Sequence, residues 1–201
     1  MSRPVLNSTR IELRPMTMQH LPLLHGLDSD PSVMEFLLGR ARTSQEIDEF
    51  WAPRCADTVA DRLGLGWWVG FEGGTFLGWW DLGRSDSTVD APVSSDQAEI
   101  GWRVMSRHWR KGLATEGALL LLDHGFGTLG LQRIWAETMA VNYPSRGVMT
   151  KIGMRHVSTH VREWQDPLPG ADEGEVLYEI TATQWRQQIG NRPAFDAVRG
   201  S

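Results

Sequence analysis

From Gly112 to Gly127 the chain reads GLATEGALLLLDHGFG. Wound as a helix, this stretch distributes Leu113, Ala114, Ala118, Leu120, Leu121 and Phe126 around most of its circumference. A helix covered so completely packs on a sheet, and the rest of the chain has to supply one. The start of the helix constrains the fold further. Arg103, Arg107, Arg110 and Lys111 lead up to Gly112, and Leu113, Ala114 and Thr115 open the first turn. The unpaired N–H groups of a first turn, at the positive end of the helix dipole, receive phosphate oxygens, and Gly112 and Ala114 keep side chains out of the way. A solvated charged loop before an ordinary helix would use the same residues, so the surroundings decide between the two readings.

The sheet can be traced on either side. Thr9 to Arg14 alternates polar and apolar residues and stops at Pro15, as a half-buried strand does. Two short helical stretches follow, with Thr17 and Asp30 as caps and Pro31 at a first helical position. A longer helix spans about Thr43 to Arg62, bent or broken at Pro53. Gly66 to Leu82 carries two aromatic runs around Gly73-Gly74, a hairpin signal whose tryptophans serve as core or as the wall of a ligand groove. Gly83 to Ser95 reads as a mobile loop rich in Ser, Asp and Pro. Gln97 to Val104 and Leu131 to Val141 are strands, Pro144 to Lys151 is a short helix ended by Gly153, and Met154 to Trp164 and Glu175 to Ile180 are further strands.

With 201 residues, 41% of them hydrophobic, the chain fills one core, so residues 1–190 are expected to form one domain and residues 191–201 a loosely ordered tail. A net charge of −5 makes nucleic acid an unlikely partner and requires any anion site to be local. Cys55 stands alone, which excludes an intrachain disulfide and suits a reducing cytosol. No apolar run reaches the roughly 20 residues of a membrane span, and the N-terminus lacks a signal-peptide core, so a cytoplasmic protein is expected. His156 and His160 would lie about 13 Å apart along a strand, too far to share one metal ion. Gly125 to Gly130 matches G-x-G-x-x-G, but it ends a helix and enters a strand, the reverse of a dinucleotide-binding turn.

The six residues Trp109-Arg110-Lys111-Gly112-Leu113-Ala114 resemble the signature [QR]-x-x-G-x-[GA] of the GNAT superfamily of acyl-CoA-dependent N-acyltransferases, with Trp109 where the signature has Gln or Arg. The longer run EIGWRVMSRHWRKGLATEGALLLLDHGF is similar to the branch containing ribosomal-protein alanine N-acetyltransferases, and so is the segment from Gly130 to Val157. The resemblance implies an α/β (α+β) fold: a mixed, mostly antiparallel sheet of about seven strands, flanked by helices, with two central strands splayed to admit a pantetheine arm. It implies acetyl-CoA as co-substrate and no metal. The backbone of Trp102, Arg103 and Val104 would pair with the arm, Trp109 to Thr115 would hold the phosphates, and Asn142 would orient the cofactor. The implied partner is an amine, either a protein N-terminus or a small molecule, and a homodimer is left open.

Acyl transfer from a thioester to an amine needs a neutral amine, a stabilised oxyanion and a departing thiolate. The expected route is direct attack through a tetrahedral intermediate. An α-amino group, with a reference pKa of roughly 8, needs less help losing its proton than a lysine at about 10.4. Glu99 is the first candidate base, directly or through water, with Asp81, Glu137 and His160 behind it. The N–H near Val104 is the candidate oxyanion donor by family analogy. Many superfamily members place a tyrosine seven residues after the asparagine, but Met149 stands there, leaving Ser145 as candidate partner of the sulfur. Asn142 and Ser145 also suit helix capping. A different class, a catalytically silent acyl-CoA-binding or sensor module on the same fold, is the alternative that the methionine and the unsettled base keep open.

Overall fold

The computed structural model describes residues 3–83 and 96–190. Eight strands, β1 (Leu6–Asn7), β2 (Glu12–Pro15), β3 (Gly66–Glu72), β4 (Thr75–Gly83), β5 (Gln97–Val104), β6 (Arg133–Met139), β7 (Arg155–His160) and β8 (Glu175–Thr181), form one sheet. Their order is β1-β2-β3-β4-β5-β6-β8-β7, and every neighbouring pair is antiparallel except β5 with β6. This is the mixed, mostly antiparallel sheet that the resemblance implies, extended at one edge by the two-residue β1.

Both faces are covered, which is why the aromatic runs are doubled rather than alternating. Trp68 and Trp80, neither exposed at all, join Leu113, Ala118, Leu121 and Leu122 of α4 (Leu113–Asp123) in one core. Met149 and Ile152 at α5 (Tyr143–Lys151) and Trp185 of α6 (Ala182–Gly190) extend that core. Trp79 packs on the opposite face with Leu24 and Leu27 of α1 (Leu21–Asp28) and Trp51 of α2 (Ser44–Cys55). Gly73 and Gly74, at φ 55° and 81°, make the tight turn the hairpin requires.

Three local expectations are corrected. The helix expected from Thr43 to Arg62 does break, but not at Pro53, which lies inside α2. The break comes at Ala56-Asp57, where Asp57 Oδ1 accepts from Val59 and Ala60 N–H and starts α3 (Thr58–Leu63). A proline removes a single N–H, whereas a new cap supplies a competing helix start. The helical stretch expected from Pro31 is a succession of turns. There the N–H groups of Leu37, Leu38 and Gly39 converge on Met34 O, so no ladder propagates. Thr9 to Arg14 is strand only from Glu12, because Ser8 Oγ takes the N–H groups of Arg10 and Ile11. Residues 84–95 of the expected loop and the tail 191–201 lie outside the described residues.

The sheet opens where the site begins. β5 and β6 pair only at Gln97↔Arg133, Ala98↔Ile134 and Glu99↔Trp135. Beyond these rungs β5 stays with β4 to Val104, β6 stays with β8 to Met139, and the two part.

Candidate active site

The parting strands open a cleft of about 1230 Å³, and α4 points its N-terminus into it. Gly112, at φ 79°, is the N-cap of α4 and has no side chain to cap with. The first intrahelical bond runs from Glu116 N to Gly112 O at 3.0 Å, so the N–H groups of Leu113, Ala114 and Thr115 have no partner within the helix. All three residues line the cleft, as do Trp109 and Arg110. Arg110 is, among the described residues, the non-glycine residue held at positive φ, 61°, an uncommon conformation that turns the chain sharply just before the helix start. Burial and the charges of Arg107 and Lys111 hold His108 below the ordinary imidazole value. Arg10 braces this end: its Nε donates to Glu116 at 2.9 Å and its guanidinium also reaches Lys111 O at 3.3 Å. A helix start with three open N–H groups, a glycine cap and an excess of cations fits a diphosphate.

Strand phase sorts the residues expected along the arm. Met105 N donates to Leu77 O at 2.8 Å, so in this antiparallel pair the odd residues of β5 turn their peptides toward β4. The peptides of Trp102 and Val104 therefore turn into the opening, whereas that of Arg103 turns to β4. Val104 O is taken by Trp109 Nε1 at 2.7 Å, which leaves the Val104 N–H on that edge. The Arg103 side chain leaves the cofactor end altogether. It lies over Trp79, 4.9 Å from the ring centroid, and donates to the fully buried Asp28 at 2.5 Å. The backbone pairing of Arg103 with the arm, implied by the family resemblance, is not what this strand phase offers, because its peptide turns to β4.

The side chains of Asp81, Glu99 and Arg103 share the sheet face that carries α1 and α2, with Gly101 bare between them, and all four residues line the cleft with Trp67 and Trp79. Burial, reinforced by the charge of Glu99 and opposed by Arg103 and Arg54, raises Asp81 well above the ordinary carboxylate value. Across the opening, Glu137 of β6 is held by His160 Nε2 at 2.5 Å and Arg162 at 3.3 Å. Glu137, His160 and Glu175 could converge on a metal ion, but the Arg162 guanidinium already lies against both carboxylates. His156 is elsewhere, against Thr159 Oγ1 at 3.0 Å.

Asn142 is the N-cap of α5: its Oδ1 accepts from Ser145 N–H at 3.2 Å and its Nδ2 donates to Thr138 Oγ1 at 2.9 Å. Ser145 lines the cleft beside it, and Met149, only 2% exposed, occupies the place of the expected tyrosine with an apolar wall. Tyr143, at the start of α5, also lines the cleft and is 65% exposed. Asp28, paired with Trp51 of α2 and Arg103 of β5, was invisible as a site-builder, since pairing across three elements leaves no spacing signal.

An open sheet with a diphosphate cradle below it and carboxyls above it defines an acyltransferase that takes its acyl group from a coenzyme A thioester. Residues 10–155 match the family model described as "Acetyltransferase (GNAT) domain", and the chain belongs to the GNAT family. It is 39% identical over 189 residues to FsC-acetyl coenzyme A-N(2)-transacetylase of Aspergillus fumigatus, covering 92% of this chain and 79% of that one. Mycobacterium smegmatis RimJ in complex with CoA-disulfide has the same fold, with a TM-score of 0.72 at 22% identity over 94% of each chain. Vibrio cholerae spermidine N-acetyltransferase in complex with CoA and spermine reaches a TM-score of 0.70 at 16% identity, covering 89% of this chain and 99% of that one. The protein is an N-acetyltransferase with acetyl-CoA as co-substrate. No helix among the described residues is long and apolar enough to cross a membrane.

Proposed function

We propose that residues 1–190 act as one domain that moves acetyl from acetyl-CoA to a primary amine, on a small molecule or a protein N-terminus. The observation that carries this reading is the opening between β5 and β6, with the α4 cradle at one end and Glu99 on the face at the other. Bound there, acetyl-CoA supplies an activated acyl carbon. Leu113, Ala114 and Thr115 N–H groups hold its diphosphate, with Arg110 and Lys111 adding charge. Trp102 and Val104 offer peptide groups to the arm, and the Val104 N–H faces the carbonyl oxygen. Asn142 fixes the start of α5 so that the Ser145 hydroxyl stands near the departing sulfur. A thiol's reference pKa of about 8.5 means that modest help suffices there. Glu99 takes the ammonium proton. The lone, buried Cys55 thiol suits a reducing compartment such as the cytoplasm.

The test is thiol release from acetyl-CoA in the presence of polyamines, amino-acid derivatives and N-terminal peptides, with mass analysis of the acceptor. At least one amine gains acetyl as thiol appears. Glu99→Gln lowers kcat roughly 100-fold, the lower end of what a general base contributes, with KM for acetyl-CoA little changed. Saturable binding of acetyl-CoA with no turnover on any amine would mark a silent binding module instead.

A further inference from the structure

Asp81 of β4 stands directly opposite Gly101 of β5, and Gly83 stands opposite Glu99. A Cβ built on Gly101 would come within 2.3 Å of Asp81 Oδ1, and one on Gly83 would lie 3.5 Å from Asp81 Oδ2. The carboxyl is therefore laid along the sheet, across two positions that lack side chains, with Oδ2 directed toward the Gly83–Glu99 rung. Glu99 is the next side chain on that face, diagonal to Asp81, within the range at which cross-strand neighbours interact. Both line the cleft on the side away from the α4 core.

We propose that Asp81 and Glu99 work as one two-carboxyl base that rests with a single shared proton, releases it when an acceptor ammonium docks, and takes one back from that ammonium. The inference rests on the acetyl-transfer reading and adds Asp81 to it as a positioning residue acting through Glu99. Two carboxyls that face one cleft as diagonal cross-strand neighbours do not both ionise readily, so the doubly ionised pair is a stronger base than an isolated glutamate. The charged groups around it divide. Arg54 of α2 and Arg103 of β5 favour ionisation of Asp81, while burial and Glu99 oppose it more strongly. The pull of Arg103 is blunted because it is paired with Asp28, which Arg42 also approaches at 3.5 Å. Asp57, at the start of α3, and Glu137, on β6, add negative charge to the same cleft. Trp67, opposite Asp81 on β3, adds none.

The protons balance. Docking of R–NH3+ sends the shared proton to solvent, and the ammonium then passes one proton to the pair. The neutral nitrogen attacks the thioester carbon, the N–C bond forms, the C–S bond breaks, and the second nitrogen proton ends on the departing sulfur. The enzyme is left with the one shared proton it began with.

Carboxyl-carbon NMR of the full chain over a pH series tests the pair without turnover, with Asp81 assigned by its loss in Asp81→Asn. The expected result is that Asp81 titrates above the ordinary carboxylate range and moves down toward it in Glu99→Gln. Titration in the ordinary range, or no response to Glu99→Gln, overturns the proposal. The kinetic arm uses acetyl-CoA and the amine with the highest turnover. Asp81→Asn lowers plateau kcat about tenfold and moves the acidic limb of kcat/KM to lower pH, with KM for acetyl-CoA unchanged. A limb that stays in place counts against the pair. Coupled titration without turnover would instead sink the acetyl-transfer reading and leave the pair standing.

Discussion

Asp28 has no exposed surface, and its carboxylate accepts from Trp51 Nε1 at 2.8 Å and from Arg103 at 2.5 Å. This buried cluster ties α1, α2 and β5 together beneath the acceptor end of the cleft. Removing Arg103 leaves the buried Asp28 charge with only Arg42, 3.5 Å away, to offset it, so Arg103→Met should cost about 3 kcal/mol in urea unfolding, and a loss under about 1 kcal/mol would show that the pair contributes little. Asp81 carries the opposite signature. Burial keeps it protonated above the pH at which an unfolded aspartate ionises, near 3.9. The native state then binds more protons than the unfolded state. Its contribution is fully present below about pH 3.9 and is lost as pH rises through the folded value. Between about pH 5 and about pH 8, the urea midpoint of Asp81→Asn should therefore fall less than that of the wild type. Glu99 was legible as a candidate base from its strand, but Asp81 stood only behind it, because its place depends on having glycine opposite it, and register is not written in either strand alone.

The α4 helix was the most legible element, since a helix apolar around most of its surface must lie on a sheet, and its glycine start marks the anion end. Its fit is tight. A Cβ at Gly117 would come within 2.4 Å of the Trp80 ring, so Gly117→Ala should push α4 off the sheet and cost about 1–3 kcal/mol, read as a lower Tm. The cationic field at the start of α4 gives a second expectation. His108 is held below its ordinary value by burial, Arg107 and Lys111. A bound diphosphate offsets those cations, so the His108 ring should titrate at higher pH in the coenzyme A complex, as followed by NMR. No movement would place the diphosphate elsewhere. The hairpin at Gly73-Gly74 was also readable. The turns after Pro31 and the break at Asp57 were not, because competing caps and converging carbonyls win by small margins that spacing does not reveal.

At the scale of the whole molecule, the feature that matters for function is an absence of pairing: three rungs join β5 to β6 and then the strands separate. Periodicity marks Gln97–Val104 and Leu131–Val141 as strands, the second observed as Arg133–Met139, yet it carries no information on where two strands stop bonding, so the opening was expected from family resemblance alone. Phase at the opening then decides which peptides face it: those of Trp102 and Val104 do, and that of Arg103 turns to β4. The most direct measurement is calorimetric titration of the full chain with coenzyme A and, separately, with pantetheine, which lacks the diphosphate. If main-chain amides of the α4 cradle carry recognition, coenzyme A should bind at least about 100-fold more tightly, the equivalent of one or two charge-assisted hydrogen bonds. Equal affinity for the two ligands, or no binding of coenzyme A by folded protein, would contradict the account.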